Sequence, residues 1–279
     1  MDSIMAWTKI TRAQYRRDGL RYASDVSDEE WLLIESLLPR ARRLGRPRRT
    51  CLRSIVNALF YMASSGCAWR LLPKDFPPVS TVQRFFYAWR TAGTWQRISH
   101  ALVASARVTA GRAITPSAGI IDSQSAKTTE AGGPRGYDAG KKVKGRKRHI
   151  VTDTLGLLLG AQVHSADIQD RDGAVPLLTA LMTPFPRMRH IFADGGYAGG
   201  KLRDAMTAIG KWTIQIVKRS EMAKNFVLLP RRWVVERTLA WLNRNRRLAK
   251  DYEASIASAE TWLFIANVKL LTRRLARSA

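Results

Sequence analysis

Between Arg231 and Arg247 the chain reads RRWVVERTLAWLNRNRR, six arginines around one acid, Glu236. A lone carboxylate among guanidiniums has two readings. It is either a surface ion-pair partner, worth little, or a metal ligand or acid/base group in a site that grips a polyanion. Two more acids could join it. Asp122 follows Ile120-Ile121 and Asp194 follows Ile191-Phe192-Ala193, short apolar runs of the kind that form buried strands. The three acids are 72 and 42 residues apart. Oxygen donors of this type suit hard divalent cations. Cys51 and Cys67 lack the spacing of a zinc site and read as buried thiols.

Rival acids have local explanations. Asp153 falls in a predicted hairpin turn, where Asp is common. Asp167, Asp170 and Asp172 cluster at a helix start, where negative charge complements the dipole, although one of them could instead be a ligand. His164 reads as a hydrogen-bonded core residue, and Tyr197 as either a DNA contact or a residue packed on a sheet.

These groups need elements to hold them. Val235, Leu239 and Leu242 form an apolar stripe at helical spacing, which predicts a helix over Arg231–Arg247 with Arg232, Glu236, Asn243 and Arg247 on one face. Upstream, a short strand ends at Asp122, and Glu130–Gly145 is a glycine-rich basic loop. His149–Thr152 and Leu155–His164 form a hairpin, and Asp170–Met182 a helix. Met188–Asp194 is a strand, Lys201–Ile209 a helix and Trp212–Val217 a strand. That order is the order of a ribonuclease-H-like α/β core, a mixed five-stranded sheet with helices. It would carry acids on neighbouring strand ends and Glu236 at a third corner.

The N-terminal region reads as all-α. Ser27-Asp28-Glu29-Glu30 is a capping box that opens an amphipathic helix ended by Pro39. Leu52–Ala63 is helical and stops at Gly66, and Ser80–Gln83 looks like a second capping box before Phe85, Phe86 and Trp89. Those aromatics read as core. Two helices, a connection and a third helix with Arg84 and Arg90 loosely fit a helix-turn-helix. The arginine-rich Arg40–Arg49 run contains Gly45-Arg46-Pro47, similar to arms that enter an A·T-rich minor groove. The expected units are an extension (1–20), a helical DNA-binding domain (21–110), a linker (111–117), the catalytic core (118–250) and a C-terminal helix packing on it (251–279).

With 47 Lys+Arg against 22 Asp+Glu, the 279-residue chain has a formal charge of +25, spread along its length. Such a surface favours a polyanion. No apolar run approaches the roughly 20 residues of a spanning helix, and the first residues lack an export pattern. Nucleic acid is the leading partner, met in the cytoplasm.

The motifs Ile-Ile-Asp122-Ser-Gln-Ser, Phe-Ala-Asp194-Gly-Gly-Tyr197 and Arg232-Trp-Val-Val-Glu236-Arg-Thr resemble a DDE transposase of the IS5 group of bacterial insertion sequences (IS4/IS5-like). The resemblance covers nearly the whole chain. It includes Asp28-Glu29-Glu30-Trp31, Gly66-Cys67-Ala68-Trp69-Arg70, Gly145-Arg-Lys-Arg-His149, His164-Ser-Ala-Asp167 and Gln169-Asp-Arg-Asp-Gly173. Around the catalytic Glu the family places Tyr, Arg and Lys at fixed steps. Arg232 matches the Arg, whereas Leu229 stands at the Tyr step and Asn243 at the Lys step, with Arg247 as a candidate substitute.

The resemblance implies an enzyme whose Asp122, Asp194 and Glu236 are both catalytic and metal-binding. Two Mg²⁺ ions about 4 Å apart, with Mn²⁺ as a substitute, would activate the nucleophile and stabilise the leaving oxygen at a phosphodiester. Phosphate contacts are expected from Arg46, Arg48, Arg49, Arg84, Lys147, Arg148, Arg232, Arg237, Arg244 and Arg247. The implied reaction is cleavage at terminal inverted repeats and joining of the 3′-OH to target DNA, by a homodimer on double-stranded DNA in a bacterial nucleoid. A ribonuclease-H-like nuclease or resolvase without strand transfer stands as an alternative, as does an inactive DNA-binding repressor.

Overall fold

The computed structural model describes residues 15–40, 47–210, 212–217 and 232–278. Arg46, Leu229 and Arg231 lie outside the described residues. Six strands form one mixed sheet: β1 (Ala118–Lys127), β2 (Gly136–Asp138), β3 (Val143–Asp153), β4 (Leu158–Ser165), β5 (His190–Ala193) and β6 (Thr213–Ile216). The strands β1, β3 and β4 pair antiparallel. The strands β5 and β6 then add parallel to β1 and to each other. Each parallel step needs a crossover, supplied by helices α5 (Asp170–Leu181) and α6 (Gly200–Gly210). The result is the ribonuclease-H-like arrangement expected from the element order, plus the short strand β2 on β3.

Helix α7 (Arg232–Asn243) packs on β1 and β3. Its Thr238 hydroxyl donates to the Gly156 carbonyl (2.8 Å) in the β3–β4 turn. The predicted helix over Arg231–Arg247 therefore stops at Asn243, and Arg246–Leu248 is a separate 3₁₀ turn. Two other elements differ from expectation. Strand β1 does not end at Asp122 but runs five residues further, because β3 is long enough to pair with it from Gly119 to Lys127. The stretch expected as a loop over Glu130–Gly145 contains β2 and the first residues of β3.

At the N-terminal end, α1 (Asp28–Leu32) begins with the predicted capping box, in which Ser27 and Glu30 each accept from the other's backbone N–H. Helix α2 (Leu52–Ser65) ends on Gly66 at φ 70, a left-handed C-cap. A Cβ there would also come within 3.1 Å of the Arg246 backbone, so two constraints require glycine. Helix α3 (Val79–Thr91) starts after Pro78 with no side-chain cap, so Ser80–Gln83 is not a capping box. A helix not distinguished in the sequence, α4 (Thr94–Thr109), follows α3.

Phe86 and Trp89 are buried, and Phe86 stacks on Trp262 with centroids 5.0 Å apart, as their core reading required. Trp262 belongs to α8 (Ile256–Ala276), which packs on α1–α4 and on β4. One continuous apolar core thus joins the helical region to the sheet. Cys51 is exposed and Cys67 half-buried, which corrects the expectation of two buried thiols. Among the described residues no helix is long and apolar enough to cross a membrane.

Candidate active site

The β1–β5 ladder pairs Ala118 with His190 and Ile120 with Phe192, an offset of 72 residues. Carried two positions further, the same offset sets Asp122 opposite Asp194. Neighbouring strands lie about 4.8 Å apart, so the two carboxylates share one edge of the sheet. Each is fixed by a backbone N–H. Ser123 donates to Asp122 Oδ1 (2.7 Å), and Gly196 donates to Asp194 Oδ1 (2.9 Å). Burial and then the nearby Asp194 charge push the Asp122 carboxyl up to about 6, with the Ser123 N–H opposing them.

The third acid is linked to this pair by a guanidinium. Arg232 Nη2 lies 3.4 Å from Glu236 Oε1, one turn along α7, and 3.7 Å from Asp194 Oδ2. The Glu236 side chain is 50% exposed. Both initial readings of Glu236 therefore have a counterpart here: it is an ion-pair partner, and its partner also reaches a strand-end acid. Among the described residues no three Asp, Glu, His or Cys side chains converge closely enough to enclose an ion. The Asp122–Asp194 pair nonetheless fits a hard cation. It offers only oxygen donors, and burial, with the neighbouring Asp194 charge behind it, raises the Asp122 carboxyl. Gly196 also leaves open a space that a Cβ would enter, 3.1 Å from Asp194 Oδ1.

Beside the pair is a largely buried polar cluster that joins residues the sequence left with separate readings, Asp170, Lys147, His164 and Tyr197. Asp170, the first residue of α5, lies 2.9 Å from Lys147 Nζ and accepts from Ser123 Oγ at 2.9 Å. Lys141 donates to the Ser123 carbonyl and hydroxyl (2.9 and 3.0 Å). Tyr197 is buried with its hydroxyl 3.0 Å from His149 Nδ1, so it packs within the sheet and is not a surface contact. The His164 ring lies tilted against His149 with centroids 4.7 Å apart. Burial holds both imidazoles below their usual range, His149 at about 3, so they are neutral. Asp153 accepts from the Leu155 and Leu157 N–H groups and pairs with buried Arg107, in keeping with its turn reading.

Several expected phosphate contacts are interior. Lys147 is buried against Asp170 and the Ile168 carbonyl. Arg148 is buried and donates to the Leu248 and Lys250 carbonyls (2.6 and 3.0 Å). Arg247 is buried, donates from Nη2 and Nε to the single oxygen Glu253 Oε1 (2.6 and 3.0 Å) and from Nη1 to the Cys67 carbonyl, and lies over the Trp262 ring. These three are corrections with one physical cause. Strand β3 is covered by β1 on one edge and β4 on the other, and the chain after α7 folds back over it. Cations there must find internal acceptors. Arg247 also lies beyond the end of α7, so it does not stand one turn from Asn243 on a helix face. Arg237 is half-buried, donates to the Leu155 carbonyl (3.0 Å), and lies over Trp233 and Trp241. Arg48, Arg49, Arg84 and Arg244 are exposed, as phosphate contacts require.

Comparison with known proteins agrees with this geometry. Residues 114–268, more than half of the chain, match the family described as "Transposase DDE domain". Residues 26–99 match a family described as "Putative transposase of IS4/5 family". The "Putative transposase for insertion sequence element IS402" of Burkholderia cepacia is 36% identical over 116 residues, covering 39% of this chain and 54% of that protein. An IS402 "uncharacterized 16.2 kDa protein" of the same organism is 34% identical over 113 residues, covering 38% of this chain and 76% of it. The first of these relatives is thus matched over about half its length. No solved structure matches the chain. With the family match spanning the sheet and α7, the chain belongs to the DDE transposase family, in its IS4/5 group.

Proposed function

We propose that the chain is the transposase of an insertion element, cutting DNA at the element's terminal inverted repeats and joining the freed 3′-OH to target DNA. The observation that carries this is the closeness of Asp122 and Asp194, two positions past the end of the β1–β5 ladder, with Glu236 tied to Asp194 through Arg232. In this reading Asp122 and Asp194 hold a divalent cation, Mg²⁺ or Mn²⁺, and Glu236 completes a two-ion set. The bound cations supply charge neutralisation and lower the pKa of attacking water. The residues contribute position. The Ser123 and Gly196 N–H groups orient Oδ1 of each aspartate, and Asp194 Oδ2 lies 3.7 Å from Arg232 Nη2. Arg232 gathers Asp194 and Glu236 and offers a donor fork to the phosphate.

In hydrolysis a water oxygen bonds to phosphorus and gives up its proton to solvent, while the P–O3′ bond breaks and the departing 3′ oxygen takes up a proton to become the 3′-OH. In joining, the 3′-OH takes the place of water.

DNA contact falls to exposed cations. Arg48, Arg49 and Arg84 lie on the helical region and Arg244 lies just beyond α7. Lys127, Arg135, Lys144 and Lys250 line an open groove with Glu130 beside the far end of β1. Lys127 is five residues along β1 from Asp122, roughly 17 Å at strand rise, so a duplex in the groove reaches the acids within about half a turn. Synapsis of two ends calls for at least a dimer on DNA.

The test is purified protein with Mg²⁺, a labelled end fragment and supercoiled plasmid. Joined product is expected. Nicking without joining would replace the reading with a nuclease or resolvase. Duplex binding without nicking would replace it with a repressor.

A further inference from the structure

Asp170 sits where helix-start acids usually serve their own helix, yet its hydrogen bonds go elsewhere. Oδ1 accepts from Ser123 Oγ on β1 and lies 2.9 Å from Lys147 Nζ on β3. Oδ2 faces the turn after β5: a Cβ built on Gly196 would be 3.1 Å from it and 3.1 Å from Asp194 Oδ1. Ser123 and Gly196 are the residues whose N–H groups orient Asp122 and Asp194. One carboxylate therefore bears on both acid-holding segments. Its neighbour Asp172, two residues on, turns outward to Lys201 instead.

The cluster around Asp170 is built to hold it in place. Lys147 is buried, and it also donates to the Ile168 carbonyl (2.8 Å) just before α5. Lys141 fixes Ser123 from the other side. His149 Nε2, 3.8 Å from Asp170 Oδ1, is buried with no hydrogen-bond partner. A Cβ at Gly173, the next turn of α5, would come within 2.3 Å of His164 Nε2, so the helix start sits tightly against the histidine pair.

We infer that Asp170 is a positioning residue of the active site: braced by Lys147, it sets the separation of Asp122 and Asp194 through Ser123 and the Gly195–Gly196 turn. It acts through these neighbours and is not itself a ligand. This rests on the reading of Asp122 and Asp194 as cation ligands. Outer groups that orient metal ligands typically change metal affinity by about 10–100-fold when removed.

The test is calorimetric titration of the full chain with Mg²⁺ alone and with Mn²⁺ alone, with thermal melting alongside. Asp170→Ala should bind Mg²⁺ at least about tenfold more weakly than wild type. Asp170→Asn keeps an acceptor for Ser123 and should stay within about threefold. Ser123→Ala removes the same link from the other side without leaving a buried charge, and should weaken binding several-fold; it carries the test if the alanine variant at 170 does not fold. Wild-type affinity in Ser123→Ala or in a folded Asp170→Ala overturns the inference. So does an Asp170→Asn loss equal to that of Asp122→Asn, which would make Asp170 a ligand. If wild type takes up no more cation than Asp122→Asn, the cation reading itself fails, and this inference with it.

Discussion

Replacing Arg148 separates a structural cation from a DNA-binding one. Its guanidinium is buried and donates to the Leu248 and Lys250 carbonyls, tying β3 to the segment after α7. Arg148→Ala leaves the buried Leu248 carbonyl and the part-buried Lys250 carbonyl without donors, at up to about 1–3 kcal/mol each, and opens a cavity. The expected loss is about 3–6 kcal/mol, which for a chain of this size lowers the melting temperature by roughly 5–10 °C. Arg244 is exposed, and its side chain has no partner among the described residues. Arg244→Ala should therefore stay within about 0.5 kcal/mol of wild type in stability. It should instead lower the slope of log affinity for duplex DNA against log salt by about 0.9, one phosphate contact. The assay pairs thermal melting with a salt titration of duplex binding below the melting point of either variant. An Arg148→Ala protein that melts like wild type but loses a phosphate contact would refute the interior placement of this cation.

Further outcomes follow from the same packing. Lys269 is buried beside Asn245 Oδ1 (3.0 Å) and Ser64 Oγ, and burial lowers its pKa to about 7. The folded state thus binds fewer protons than the unfolded chain between about pH 7 and 10.5, so this residue's contribution to stability rises across that window and is at its worst below pH 7. Lys269→Met removes the buried charge but also the donor to Asn245 and Ser64, so its stability relative to wild type should be higher at pH 6 than at pH 10 in chemical denaturation. Gly173→Ala would drive a methyl into His164, and a loss of about 1–3 kcal/mol in the same assay is expected. The Asp122 carboxyl, raised to about 6, must ionise to bind a cation. Mg²⁺ affinity should therefore rise about tenfold from pH 5 to pH 7 with proton release, and a flat calorimetric profile would count against it.

The contrast between Asp194 and Arg148 shows what was legible in the sequence. Asp194 follows a short apolar run and precedes two glycines, so its strand-end position is a local property. The β1–β5 register then matches the 72-residue spacing to Asp122 without further information. Helix α2 and its stop at Gly66 were legible for the same reason. The Gly145–His149 run was not. By composition it is a solvated basic segment, yet it is the middle of a strand paired on both edges. Only the fold shows that the carbonyls of residues 248–254 close over it. The arginine bridge from Glu236 to Asp194 and the role of Asp170 depend in the same way on elements brought together from distant parts of the chain.

In the proposed function Asp122, Asp194 and Glu236 together cut DNA with a divalent cation. Mg²⁺-dependent nicking of a labelled element end by wild type, Asp122→Asn, Asp194→Asn and Glu236→Gln tests it most directly. Removal of functional ligands should cost at least about a hundredfold in rate, while all four proteins still bind the duplex. Wild-type nicking rates in any one of the three folded variants would contradict the account.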